Sequence, residues 1–237
     1  MKEWYQMNEE EVLKMLDADK NGLSSERAEE LLKMNGENVL QESKKKSALR
    51  VFAEQFADLL VIILIIAAII SMVSGNVEST IVIFAVITMN AILGTVQHEK
   101  AEKSLASLKT LSAPTAKVLR GGVKGEIPSA KVVKGDILLL EAGDLVTADG
   151  RILESYSLQV NESSLTGEST NVEKKAVVLE GEQALGDRIN MVYSGSLVTG
   201  GRAVVLVTAT GMETEIGKIA ALMNATKEKK TPLQVSL

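Results

Sequence analysis

The chain has 237 residues, of which 46% are hydrophobic and 3% aromatic, so it has enough apolar material for a substantial core or for membrane helices. Its formal net charge of −5 argues against a general nucleic-acid binder, which needs a clustered basic excess to neutralise phosphates. The absence of cysteine excludes disulfides, thiolate metal sites and a cysteine nucleophile.

Two short helices are predicted at the start of the chain. Asn8 stands at an N-cap position with Glu11 three residues later, which is the pattern of a capping box. A second helix is predicted to start at Ser24 or Ser25 and to end at Gly36. Both have the composition of small helices that pack on a soluble domain.

Two apolar runs without ionisable residues follow, from Leu59 to Val73 and from Thr80 to Val96. A helix that crosses the hydrocarbon core needs about 20 residues, so both runs need flanking residues to span it. A pair of buried helices in a soluble protein is the alternative, but helices without a polar face are unusual there. The sequence therefore predicts a transmembrane hairpin with spans at about 57–74 and 79–97.

The charges beside these runs predict their orientation. Glu78 is the one charged residue in the short connection between the runs. Basic residues lie on the outer flanks instead, namely Lys44, Lys45, Lys46, Arg50, Lys100 and Lys103. Because basic flanks stay in the cytoplasm, both long ends are expected there. Apolar residues at helical spacing continue beyond the runs and predict amphipathic stalks, the second of which should end before Pro114.

Beyond Pro114 the pattern changes to short strands that are separated by Gly, Pro, Asp and Ser. Strand-like segments are AKVLR, KGEIP, DILLLEAGD, GRILES and LQVNES, with a Gly121-Gly122 turn between the first two and a later pair in NMVYSGSLVTGG and RAVVLVTATG. Short strands at this spacing favour an antiparallel sandwich or jelly roll. A final helix is predicted from about Glu213 to Met223, followed by a polar linker from Ala225 to Pro232.

The segment VNESSLTGES, Val160 to Ser169, lies between strands and has the residues best suited to chemistry. Gly167 allows a close backbone approach, and the hydroxyls of Thr166 and Ser169 can brace the turn. Glu168 then presents a carboxylate that can orient and deprotonate a water molecule. The alternative is a hydroxyl-braced turn with a solvated glutamate.

This segment resembles the TGES loop of the P-type ATPases, and its surroundings resemble the same family in the same order. GLSSERAEELLKMNGENVL is similar to the N-terminal helices of type II cation pumps, and KGDILLLEAGDLVTADGRIL is similar to their actuator-domain core. DRINMVYSGSLVTGGRAVVLVTATGMETEIGKIA and TPLQ complete the resemblance. Lys134 and Thr147 stand where the family usually has proline, which removes a fixed φ from two turns, and Asn161 stands where aspartate is common.

The resemblance implies a fold for the whole chain, an α+β membrane protein fragment. N-terminal helices are expected at 1–48, and the stalk and transmembrane hairpin at 49–112. An antiparallel, jelly-roll-like actuator domain is expected at 113–224, and a linker toward the next transmembrane helix at 225–237.

The resemblance also implies a catalytic role. In this family ATP phosphorylates an aspartate in a DKTG motif, and the actuator domain then brings its TGES loop to that site. Glu168 is expected to position the hydrolytic water, with Thr166, Gly167 and Ser169 shaping the approach. The chain contains no DKTG, so ATP and Mg²⁺ are expected to bind outside it. No cofactor or metal site is expected in this chain, which alone should be inactive.

The expected partners are the lipid bilayer, the phosphorylation, nucleotide-binding and remaining transmembrane domains of the same pump, and a transported cation, but no nucleic acid. TEIGKIA and TPLQ resemble the calcium pumps, so Ca²⁺ is the expected cation. The expected location is a bacterial plasma membrane, with both termini in the cytoplasm. A pump for another cation and a noncatalytic, membrane-anchored β-domain that binds a partner are the alternatives, and a DKTG motif downstream would exclude the second.

Overall fold

The computed structural model describes residues 2–40, 47–111, 114–168 and 170–225, except for the side chains of 108–111 and 225. It divides into two units, one formed by Met1–Gln41 with Ala113–Leu237 and the other by Glu42–Ser112. The second unit is therefore an insertion in the sequence of the first. Lys44–Lys46, Ser169 and the predicted linker after Ala225 lie outside the described residues.

The N-terminal part of the first unit contains a 3-10 turn, Trp4–Gln6, and two helices, α1 Glu9–Met15 and α2 Ser25–Asn35. The capping box is confirmed, because Asn8 Oδ1 accepts a hydrogen bond from Glu11 N at 2.8 Å and Glu11 Oε2 accepts one from Asn8 N at 3.0 Å. The bounds of the second helix are confirmed as well. Ser24 caps its start, and Gly36 follows its end with a φ of 80°.

The second unit consists of three helices, α3 Ala48–Gln55, α4 Leu59–Val73 and α5 Val77–Leu111. α4 and α5 pack against each other, with Val61 and Ala68 of α4 and Ile87 and Ala91 of α5 buried. Thr80 Oγ1 donates to the carbonyl oxygen of Ala68 at 3.5 Å. Within the described part of the chain, only α5 is by itself long and apolar enough to cross a membrane, with a mean hydropathy of 2.0.

The first stalk is not a straight continuation of the first apolar helix, in contrast to the prediction. α3 and α4 are separated by a break at residues 56–58 and differ in direction by 63°. Asp58 caps α4 by accepting a hydrogen bond from Leu60 N at 2.9 Å. An aspartate that bonds to the backbone in this way starts a helix rather than continuing one, which apolar periodicity alone does not reveal. The second stalk is continuous with α5, as predicted.

Seven strands and two further helices complete the first unit. In chain order they are β1 Thr115–Arg120, β2 Val123–Pro128, β3 Ile137–Glu141, β4 Asp149–Asn161, α6 Ser163–Thr166, β5 Asn171–Lys174, β6 Met191–Val192, β7 Leu197–Ala209 and α7 Glu215–Ala225. The strands form one sheet in the order β2-β1-β3-β7-β4-β5, with β6 also paired to β4. Every pair is antiparallel, which confirms the predicted strand orientation.

Two of the predicted strand boundaries are wrong. GRILES and the first four residues of LQVNES belong to the single strand β4, which continues through an irregular register between Tyr156 and Gln159, where Ser157 has a φ of 51°. SLVTGG and RAVVLVTATG likewise belong largely to the single strand β7, which contains Gly201 with a φ of 73°. Bulges bend a strand without ending it, so the turn-like residues at these points do not mark strand ends.

The core of the first unit lies on both faces of the sheet. Successive residues of β3 point to opposite faces: Leu138 belongs to the main apolar cluster and Ile137 to a second cluster. The second cluster includes Val12 of α1 and Leu206 of β7. α1 therefore covers one face of the sheet, which agrees with its predicted role as a packing helix.

Candidate functional site

The candidate site is a loop between β4 and β5. These strands pair up to Asn161 and Asn171, so the chain leaves the sheet after Asn161 and rejoins it at Asn171. Asn161 Oδ1 accepts hydrogen bonds from Ser163 N at 3.1 Å and from Ser163 Oγ at 2.6 Å. Asn161 thus provides a side-chain acceptor oxygen at the start of the loop, as an aspartate would.

Glu168 is exposed and follows a tight turn. Gly167 ends α6 in the left-handed conformation, with a φ of 76°. A β-carbon at this position would have no neighbour within 4 Å, so glycine is favoured here by backbone conformation and not by crowding. Thr166 Oγ1 accepts from Glu168 N at 3.3 Å and donates to Glu162 O at 3.2 Å. Three of the four predicted site residues therefore share one braced turn.

The loop is attached to the body of the first unit at two further points. Leu165 packs against the apolar cluster that contains Tyr5, Met191 and Tyr193. Ser164 Oγ donates to the carbonyl oxygen of Gly195 at 3.3 Å. These contacts fix α6, so the turn that presents Glu168 starts from an anchored helix.

A buried ion pair at the base of the loop was missed by the sequence reasoning. Glu162 Oε1 lies 2.7 Å from Lys174 Nζ, and the two side chains are 1% and 0% exposed. Burial raises the pKa of Glu162 and lowers the pKa of Lys174, and each partner opposes the shift of the other. The available signal was the position of Lys174 on the same inward face of β5 as Val172, since a lysine at such a position needs a partner.

A second group that was missed is Asp149, at the first position of β4. Its carboxylate accepts from Ser194 N at 2.8 Å and from Glu215 N at 2.7 Å, so it connects β4 to the start of α7. Burial raises the pKa of Asp149 to about 6, although the two backbone hydrogen bonds oppose this shift.

The described residues contain no group of three or more His, Cys, Asp or Glu side chains that could hold a metal ion. The loop presents the exposed carboxylate of Glu168 on a braced turn. A carboxylate in this setting can orient and deprotonate a water molecule when the loop meets another site.

Two family models match the chain. The model described as the P-type ATPase actuator domain matches residues 110–224, which contain the sheet and the loop. The model described as the N-terminus of cation transporters and ATPases matches residues 4–71. The matched ranges include β1 to β7, α1 to α3 and most of α4.

Similar proteins are pumps of several kinds. A calcium-transporting ATPase of Listeria monocytogenes is 45% identical over 99% of this chain and 27% of its own length. A calcium-transporting ATPase of Lactococcus lactis is 46% identical over 98% of this chain and 26% of its own length. A sodium/potassium exporting P-type ATPase of Schizosaccharomyces pombe is 41% identical over 85% of this chain and 20% of its own length.

The chain thus spans about a quarter of the length of these relatives. Its sheet and loop lie in the segment that matches the actuator model, and its first helices lie in the segment that matches the N-terminal model. The chain belongs to the P-type ATPases and contains their actuator domain and cation-transporter N-terminal region.

Proposed function

We propose that this chain is the N-terminal part of an ATP-driven pump that transports Ca²⁺, and that Glu168 orients the water that hydrolyses the aspartyl phosphate. The observation that carries the proposal is the exposed carboxylate of Glu168 on a turn braced by Thr166. Calcium is supported by two bacterial relatives that are named calcium-transporting ATPases. A second candidate is a pump for another cation, because the yeast relative is named a sodium/potassium exporting ATPase.

The chemistry required of this loop is small. Hydrolysis of an acyl phosphate needs an in-line water and a well-placed base, since the leaving carboxylate needs no strong acid. Glu168 supplies the base, and the hydrogen bond from Glu168 N to Thr166 Oγ1 limits the directions in which the turn can point. Thr166, Gly167 and Ser169 shape the approach to the phosphate. ATP and Mg²⁺ bind in the other domains of the pump.

The second unit supplies the membrane anchor in this proposal. α5 crosses the bilayer, and α4 crosses it together with its flanking residues, which gives a two-helix hairpin. Only 17% of the most apolar segment of α5 is buried, which suits a lipid-facing helix better than the core helix of a soluble protein. The partners of the hairpin are the lipid bilayer and the other transmembrane helices of the pump, in a bacterial plasma membrane.

A chimaera tests the role of Glu168. This chain replaces the matching 235 residues of the Listeria pump, with and without Glu168→Gln. The substitution keeps size and removes basicity, so phosphorylation by ATP should be unchanged. Decay of the phosphoenzyme should slow by about 10²- to 10⁴-fold, the usual cost of losing a general base, or roughly 3 to 5 kcal/mol. The measurement is loss of labelled phosphoenzyme after a chase with unlabelled ATP.

Glu182→Gln is the matched control, because Glu182 is also an exposed glutamate of the first unit but lies outside the loop. It should leave phosphoenzyme decay unchanged. Decay at the wild-type rate in Glu168→Gln would remove Glu168 from the mechanism. Uptake of ⁴⁵Ca²⁺ into vesicles by the full-length pump tests the cation, and ATP-driven Na⁺ transport without Ca²⁺ transport would contradict calcium.

A further inference from the structure

The buried pair of Glu162 and Lys174 links the first residue of the loop to the far end of β5, the strand that follows the loop. Glu162 directly precedes α6, and Lys174 is the last residue of β5. Their charged atoms are 2.7 Å apart. The ion pair therefore connects the two ends of the 13-residue segment that contains Glu168.

Both charges are isolated from water and depend on each other. Lys174 Nζ also donates to the carbonyl oxygen of Arg188 at 3.4 Å and lies 5.6 Å from the centre of the Tyr193 ring. Among the described residues, Lys174 is the one cation that contacts Glu162. Removing one partner alone would leave the other as an uncompensated buried charge, which folded proteins tolerate poorly.

Glu162 also connects directly to the turn that presents Glu168. Its carbonyl oxygen accepts hydrogen bonds from Leu165 N at 2.9 Å and from Thr166 N at 3.0 Å. The same carbonyl oxygen accepts a hydrogen bond from the Thr166 hydroxyl. The hydroxyl oxygen of Thr166 in turn accepts a hydrogen bond from Glu168 N. A continuous path thus leads from Lys174 through Glu162 and Thr166 to the backbone of Glu168.

A buried ion pair is a poor way to gain stability, since apolar residues of similar size often stabilise as well or better. An ion pair can instead fix the geometry of a functional loop, which matters for catalysis and not for stability. Small misplacements of a catalytic group are costly, because an error of about 1 Å can slow a reaction 10²-fold. The pair joins the first residue of the loop to the last residue of β5, so it acts on Glu168 from the start of the loop.

We propose that Glu162 and Lys174 are positioning residues for the dephosphorylation loop and hold Glu168 in the orientation needed for attack by water. This inference rests on the proposed function of Glu168. Both side chains are buried, so the pair acts only through the loop.

The experiment uses Glu162→Gln combined with Lys174→Met in the same chimaera, so that both charges are removed and side-chain length is kept. Glu173→Gln with Lys175→Met is the matched control. That neighbouring pair is 3.2 Å apart, but its side chains are 58% and 53% exposed. Phosphoenzyme formation should be normal in both variants. Decay should slow by about 10- to 100-fold in the buried-pair variant and not in the control.

The decay rate constant separates positioning from a loss of folded protein, because it is measured only on molecules that have been phosphorylated. Glu162→Asp provides a second, milder variant that keeps the charge and shortens the side chain, and it should slow decay by a smaller factor. Hydrogen exchange of the 237-residue chain in detergent gives an independent readout. The amides of Leu165, Thr166 and Gly167 should exchange faster in the buried-pair variant, with β4 and β7 unchanged.

A combined variant decides whether the pair works through Glu168. If it does, adding the buried-pair substitutions to Glu168→Gln should slow decay no further. Additive slowing, or wild-type decay in the buried-pair variant alone, would overturn the inference while leaving Glu168 in place. If Glu168→Gln itself decays normally, the proposed function fails first, and the exchange data then show only that the pair orders the loop.

Discussion

At the scale of single residues, Asp149 is a carboxyl group whose ionisation the fold controls. It is 4% exposed and accepts two backbone hydrogen bonds, from Ser194 and Glu215. The hydrogen bonds favour the charged form, but burial has the larger effect and raises the pKa to about 6 from an ordinary value of 3.8. The folded chain therefore keeps a proton on Asp149 at pH values where the unfolded chain has lost it.

This pKa predicts the direction of a pH effect on stability. Asp149 contributes stability that is complete below about pH 4 and is lost as the pH rises to about 6, by an amount of about 3 kcal/mol. The free energy of unfolding should fall across this window in the wild type, relative to Asp149→Asn. Urea unfolding, followed by tryptophan fluorescence, measures the difference.

Trp4 is the single tryptophan and packs within the first unit, so its emission reports on that unit. A difference in unfolding free energy between wild type and Asp149→Asn that stays constant from pH 4 to pH 6 would show that this carboxyl does not titrate with a raised pKa.

At the scale of elements, the long strand β7 depends on glycine at its bulge opposite Ser157 of β4. Gly201 has a φ of 73°, and a β-carbon there would lie 2.2 Å from the carbonyl oxygen of Ser157. Gly143 has a φ of 96°, but a β-carbon there would have no neighbour within 4 Å. Substitution by alanine therefore causes backbone strain alone at Gly143. At Gly201 it causes backbone strain and a clash with Ser157.

Gly143→Ala should reduce the free energy of unfolding by about 1 to 2 kcal/mol, the cost of a left-handed conformation for alanine. Gly201→Ala should cost more, above about 3 kcal/mol, because the backbone at Ser157 has to move. The same urea experiment compares the two variants. Equal losses in both would mean that β4 shifts freely at this bulge.

The sequence was sufficient for features that depend on near neighbours in the chain. Asn8 and Glu11 are three residues apart, so the capping box could be predicted and is confirmed. The turn at Gly167 is local as well, and its left-handed conformation agrees with the prediction of a loop there. The roles of Thr166, Glu168 and Ser169 stay predictions.

Features that depend on tertiary contacts could not be predicted. The pairing of Glu162 with Lys174 requires β5 to lie beside β4, and the burial of Asp149 requires α7 to begin at its carboxylate. The bulge at Ser157 looked like a turn because local composition does not reveal whether the strand pairing continues beyond it.

At the scale of the whole molecule, the absence of cysteine allows a clean test of membrane topology. Ser74→Cys places a thiol at the end of α4, and Lys124→Cys places one on an exposed strand of the first unit. In intact cells that produce the 237-residue chain, a membrane-impermeant maleimide should label the Ser74→Cys variant. It should label the Lys124→Cys variant only after permeabilisation. Labelling of position 124 in intact cells would reverse the proposed orientation.

A second test at this scale concerns activity. The DKTG motif is absent from the chain, so the purified 237-residue chain should neither hydrolyse ATP nor form an acid-stable phosphoprotein. Labelled ATP followed by acid precipitation measures this, with the chimaera as the positive control. Labelled phosphoprotein from the chain alone would contradict the proposal that ATP binding and phosphorylation take place in the other domains of the pump.

The insertion of the second unit within the first also determines the order of events during synthesis. Met7 and Val12 pack against Leu206, which the ribosome adds about 200 residues later. At a translation rate of roughly 5 to 20 residues per second, the N-terminal helices are synthesised about 10 to 40 s before the strand that covers them. The apolar helices between them leave the ribosome first, so the proposed membrane insertion precedes completion of the β-domain. A chaperone that shields α1 during this interval should therefore raise the yield of folded protein.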